Sequence, residues 1–287
     1  MNEFGTAASL FRLITNKKLA PHFFKTARLI QENFFRLQNR AHRHPGLIPV
    51  ANVDHPLDKT IPFRPKWVMT YHDFSAFWVR TAACLSRAVS PEAAARFISS
   101  MGELYVAAAE VYSRHLSTTV RPRYFGSVGC AVIQLFDPHL LCVPSLHVMV
   151  CVHTWIKARS LLENKGPPDK DKAYIERLFN HAVFITESVL YMKQHSVNCI
   201  PAAMYAVSCF EPDLFTRSDA AVFAAALFKD ERNAEIAPAE RDAIRAYIET
   251  SCAAFMRERE KLLAAHNNDW TAPLIAFLKS PPSAMEA

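Results

Sequence analysis

Three separated stretches carry side chains suited to one kind of chemistry. Six residues separate Arg114 from Arg121-Pro122, Pro144-Ser145-Leu146-His147 follows, and six residues separate Ser188 from His195. A planar guanidinium binds two oxygens of an oxyanion at once. A proline at a helix start pre-sets the backbone, so that the following N–H groups point at an anion. Ser145 adds a hydroxyl donor, and imidazoles exchange protons near neutral pH. Such a set suits phosphoryl transfer, in which negative charge spread over three oxygens has to be positioned and stabilised.

In order and internal spacing the three stretches resemble the signature motifs of the type 2 phosphatidic acid phosphatase superfamily. That superfamily spans soluble bacterial acid phosphatases, vanadium haloperoxidases and lipid phosphate phosphatases. Its pattern is Lys-x6-Arg-Pro, then Pro-Ser-Gly-His, then Ser-Arg-x5-His-x3-Asp, and the match covers roughly residues 114–199. The resemblance implies a helical bundle like the acid phosphatase and haloperoxidase core. It implies His195 as the nucleophile of a phosphohistidine mechanism and His147 as the general acid that protonates the leaving oxygen. Arg114, Arg121, Ser145, the backbone at Leu146, Ser188 and Lys193 would bind the phosphate. No cofactor is implied, and vanadate, as a phosphate mimic, would inhibit.

Three positions depart from the pattern. Leu146 replaces a glycine, which keeps the N–H and narrows the pocket. Val189 replaces an arginine, for which Lys193, four residues on and on the same helical face, would restore a positive charge. Cys199 replaces the aspartate that orients the nucleophilic histidine; Asn198, Glu187 and Asp137 are the polar groups that could stand in. The main expectation is therefore a phosphoric ester hydrolase or phosphotransferase for a lipid or small-molecule phosphate. The alternative is a degenerate member that binds a phosphate-like anion or a partner without efficient turnover.

Helices have to position these groups. Scarce glycine, no recurring strand alternation and many Ala, Leu and Phe at helical spacing predict an all-α chain. A basic amphipathic helix is expected at residues 22–43, followed by a surface connection over 45–67 with five prolines. Further helices are expected at about 72–88, with Asp73 as its cap, and from Ser90-Pro91-Glu92 to about Arg114. Others run from Pro144 to about Leu162, over 173–195, 200–210 and 218–229, and from Pro238 onward. The run from Glu163 to Lys172 reads as a surface loop. The chain divides into a basic N-terminal section (1–67), a phosphatase-like core (68–230) and C-terminal helices packed on it (231–287), together one structural domain.

Composition narrows the partners. The net charge of +6 resides in residues 1–50, where eight Lys or Arg meet two Glu. A membrane surface is thus a candidate partner through residues 1–45. No nucleic-acid module is present. The seven cysteines are an odd number without a CxxC pair, which suits free thiols in a reducing compartment. Cys142, His147, Cys151 and His195 follow no zinc spacing, and no metal is expected. The long charge-free stretch between Asp137 and Lys157 contains prolines and histidines that disfavour a membrane span. A cytoplasmic protein, with a peripheral membrane association through its basic segment, is the expectation.

Overall fold

Prolines and small polar residues open the helices where the sequence places them. In the computed structural model, which describes residues 5–165, 171–229 and 233–281, α1 spans Thr6–Thr15 and α2 spans Ala20–Ile30. A π-helical turn, Gln31–Phe35, joins α2 to α3, Arg36–Arg43. Helix α4 runs Val68–Ala88 and α5 runs Pro91–Tyr112, the latter capped by Ser90, whose hydroxyl accepts from Ala93 N. Then come α6 (Val128–Phe136), α7 (Leu146–Glu163), α8 (Lys172–Tyr191) and α9 (Cys199–Phe210). The chain closes with α10 (Arg217–Ala226), α11 (Pro238–Ala264) and α12 (Ala272–Lys279). The fold is all-α but for one small sheet.

Helix α7 is the centre of the bundle. It packs against α4, α5, α8 and α9 and is buried on every side from Val148 to Ile156. That is why the stretch between Asp137 and Lys157 carries no charge: a helix surrounded by others is apolar all round. Outside this centre, α2 lies on α5, α1 on α4, and α11 on α9 and α10. Buried side chains from Leu13 to Leu278 join in one cluster. Among the described residues no helix is long and apolar enough to cross a membrane.

The proline-rich connection does more than wrap the surface. It contains β1 (Val50–Asn52), which pairs in parallel with β2 (Leu116–Thr118), Val50 opposite Leu116. Beside β2 runs the segment before α7: Ser117 N donates to Leu140 O and Cys142 N to Ser117 O. The Ser117 hydroxyl accepts from Val143 N at 2.7 Å. Such a short sheet offers no alternating pattern long enough to read from sequence.

Several local expectations change. Asp73 does not cap α4; it sits inside the helix, held bidentately by Arg80 at 2.8 and 2.7 Å and by His181 at 2.9 Å. Helix α5 ends before Arg114, and α8 ends at Tyr191, before His195. Helices α1, α6 and α12 were not expected. Residues 166–170 of the expected loop lie outside the described residues.

Candidate functional site

His195 sits on a loop between α8 and α9 that other segments clamp. Asp58 accepts from Val197 N at 2.8 Å and from His55 N at 2.7 Å. Asn198 donates to Val53 O at 3.0 Å and accepts from the Tyr247 hydroxyl of α11. Arg64 N donates to Tyr191 O at 2.9 Å, just before the loop. The connection over residues 53–64 thus fixes the loop, a role that its composition does not announce.

Within the loop, the His195 ring is held at both nitrogens. Nδ1 lies 3.2 Å from the carbonyl oxygen of Cys142, which can only accept, so Nδ1 carries the proton. Nε2 then presents its lone pair, 3.2 Å from Ser145 Oγ and 3.3 Å from His147 Nδ1. Ser145 is the N-cap residue of α7 and His147 lies in its first turn. Tyr112 of α5 donates to the Pro144 carbonyl and anchors the turn that leads into α7. The Cys142 carbonyl is steadied by the contacts with β2. The position that the resemblance gives to an orienting carboxylate is therefore taken by a backbone carbonyl.

Of these residues Cys142, His147 and His195 line a cavity of about 260 Å³, and Ser145 is buried behind them. Phe34, Tyr71, Phe74, Tyr105, Ile133 and Leu146 supply much of its apolar wall, and the polar lining includes Gln38, His72, Asp137, His139 and Gln194. The His147 ring packs against Tyr71 and Phe74, with centroids 4.4 and 4.2 Å away. Burial pushes His195 down to about 3, and burial next to His195 holds His147 far below the ordinary histidine range. Both rings are therefore neutral near pH 7.

Arg121 lies behind this wall. One terminal nitrogen donates to Gln194 Oε1 at 3.0 Å and the other to the Asp137 carbonyl at 2.7 Å, with the Asp137 carboxylate 3.5 Å away. Asp137 also accepts from Gln38 at 3.0 Å and from His139 N at 2.8 Å. His139, which sequence reasoning missed, adopts a left-handed backbone (φ 59°) and bonds Thr119 Oγ1 at 2.7 Å. Its proximity to the site comes from the loop between α6 and α7, and no spacing signals it.

The remaining expected residues do not join the site. Arg114 follows the end of α5 and pairs with Asp269 at 2.9 Å and with Thr271, tying down the segment before α12. Ser188 is buried in α8 and turns its hydroxyl back to Ile185 O at 2.6 Å. Lys193 is not on a continued helical face: it has φ 54° and its ammonium donates to the Asp58 carbonyl. Cys199 is buried at the start of α9, where burial raises its thiol well above the ordinary range. Glu187 cannot replace the missing carboxylate, because it accepts from Phe228 N at 2.6 Å and from Asn233 at 3.3 Å.

A scan against protein-family models, a search of curated proteins and a search of solved structures each returned no match. Among the described residues no group of three or more His, Cys, Asp or Glu side chains is arranged to hold a metal ion.

The buried histidines make stability depend on pH. His195 and His153 are pushed down to about 3 and His139 to about 4, all chiefly by burial. The unfolded chain, with histidines near the ordinary value of about 6.5, binds more protons than the folded one below that pH. Their stabilising contribution is complete above about 6.5 and is lost as pH falls toward the folded values. Urea unfolding should therefore show lower stability at about pH 5 than at about pH 7, by on the order of 1 kcal/mol or more per histidine. Equal unfolding midpoints at the two pH values would contradict the neutral, buried assignment.

Proposed function

We propose that the chain is a phosphoric monoester hydrolase or phosphotransferase that works through a phosphohistidine on His195, with an apolar group on its substrate. The observation that carries this reading is the His195 ring, whose Nδ1 proton is held by the Cys142 carbonyl while Nε2 faces Ser145 and His147 in an aromatic-lined cavity. In the first half-reaction Nε2 bonds to phosphorus and the phosphorus–oxygen bond to the leaving group breaks. The leaving oxygen takes a proton from His147, in its protonated form. In the second, water, or an acceptor alcohol, attacks phosphorus, gives its proton to His147 and breaks the nitrogen–phosphorus bond. A substrate phosphate beside His147 raises that ring's proton affinity, because opposite charges favour each other in a dry site. Ser145 Oγ and the first-turn N–H groups of α7 are the donors suited to the phosphoryl oxygens.

The expected result is turnover of aryl phosphates, inhibition by vanadate, and an acid-labile phosphoenzyme that can be trapped on rapid quenching. Substrates with larger apolar leaving groups should show lower KM, since burial contributes about 25 cal/mol per Å². Absence of both turnover and phosphoenzyme would sink the catalytic reading. The second reading is an anion-binding member without efficient turnover. It draws on Arg121, whose two terminal nitrogens are engaged by Gln194 and Asp137, and on Arg114, which is diverted to Asp269. Phosphate binding by calorimetry without phosphoenzyme would favour it.

A further inference from the structure

Helix α6 is a wall of the cavity and also an apolar surface. Between Val128 and Phe136 it contains no charged residue, and it buries only Cys130 and Ile133. Val128, Leu135 and Phe136 are 83, 69 and 76 % exposed, and Val132 is exposed with them. The spacing i, i+4, i+7, i+8 puts all four on one face. At the edge of this face the helix is held close to α4: a β-carbon at Gly129 would come 2.8 Å from Val68 Cγ2. The helix is thus packed down on one side and bare on the other.

The rim of the cavity continues this face. Val132 and Phe136 both line the cavity and stand exposed, and so does Phe35 from the π-helical turn across the mouth. The two sides are linked by Gln38 of α3, which donates to Asp137 at the end of α6. Helix α3 exposes Arg36, Arg40 and Arg43 on the face away from Gln38, with Arg36 3.9 Å from Glu32 of the π-helical turn. An uncharged apolar stripe, with arginines exposed on the neighbouring α3, matches a surface with anionic headgroups over hydrocarbon.

We propose that the exposed face of α6, with Phe35 and the arginines of α3, docks the protein on an anionic phospholipid bilayer, so that the mouth of the cavity opens at the membrane. The apolar side chains enter the headgroup and acyl boundary, and the arginines stay with the phosphates. The inference concerns partition and not turnover, so it stands or falls separately from the phosphatase reading.

The test uses the full chain and vesicles of phosphatidylcholine with or without phosphatidylserine. Co-sedimentation should be strong with phosphatidylserine and should weaken as salt is raised. The double variant V128S/L135S, whose positions do not line the cavity, should lower partition at least roughly tenfold, as expected from the burial of a leucine side chain. R36Q/R40Q should remove mainly the salt-sensitive part. In L135W, the added tryptophan should emit at shorter wavelength when vesicles are present. This last reading needs no loss of function, so it stands even if the double variant folds poorly. No binding to phosphatidylserine vesicles would overturn the proposal, as would binding unchanged in a folded V128S/L135S. An L135W shift that follows protein concentration without vesicles would assign the face to a second copy instead.

Discussion

If His195 is the nucleophile proposed above, replacing it by alanine is expected to lower phosphate-ester turnover by about 10⁴-fold or more, because a nucleophile removed from a preorganised site is not replaced by its neighbours. The geometry explains why His147 cannot take over. Its Nδ1 points at His195, and its ring is wedged between Tyr71 and Phe74, so it is not free to reach the same phosphorus. The change should leave the fold in place. The Cys142 carbonyl and the Ser145 hydroxyl each lose a partner, a cost of about 1–3 kcal/mol for each buried group. The informative comparison is His147→Gln. It keeps the nucleophile and removes the acid, so phosphoenzyme should still form from a substrate with a good leaving group such as nitrophenolate. Turnover of an alkyl phosphate should fall by about 10²- to 10⁴-fold. Burst kinetics and alkaline quenching, which preserves an acid-labile phosphohistidine, separate the two variants: His195→Ala gives no phosphoenzyme from either substrate, whereas His147→Gln gives it from the aryl ester. Undiminished turnover in His195→Ala would remove the mechanism.

The sequence was most legible where chemistry and helix punctuation coincide. Ser90-Pro91 starts α5 and Pro144-Ser145 leads into α7 because caps and prolines act locally, within one turn. The charge-free stretch that contains α7 stood out as well, but only as one ill suited to a membrane span; its central position was not read from it. Extrapolation failed where it crossed a break. Lys193 was placed by spacing as if α8 continued, but α8 stops at Tyr191 and Lys193 then turns left-handed; Arg114 was assigned by its place in the motif, and it lies just past the end of α5, paired with Asp269. After such a turn the i, i+4 rule has no meaning. Helix α6 was hidden for a different reason: its exposed side is as apolar as its buried side, so it lacks the contrast that reveals an amphipathic helix. The acceptor for His195 Nδ1 could not be read at all. A backbone carbonyl carries no residue signature, and the segment holding Cys142 is placed by a three-residue strand whose partner is distant in sequence, Val50 opposite Leu116.

That substitution of a carbonyl for a carboxylate leads to a second large effect, on stability. Restoring the pattern of the resembling family with V189R and C199D is expected to unfold the protein, not to improve it. Both positions are completely buried. Val189 lies inside α8 in the core, where an arginine would be overpacked and unpaired. Cys199 lies near the carboxylates of Asp58 and Asp54, and burial already raises its thiol. Asp58 itself is raised by burial even with Val197 N and His55 N donating to it. A second carboxylate there would meet low dielectric and like charge together. An uncompensated buried charge costs about 3–5 kcal/mol, and either change alone consumes much of the roughly 5–15 kcal/mol that holds a typical domain folded. Thermal melts should show C199D far below the parent, with C199A, which adds no charge, much closer to it; the double variant should lack a cooperative transition. The aspartate would also gain nothing chemically, since His195 Nδ1 is already engaged by Cys142. A folded C199D with faster phosphate-ester turnover would show instead that the carboxylate displaces that carbonyl, and that the loop holding His195 rearranges to accept it.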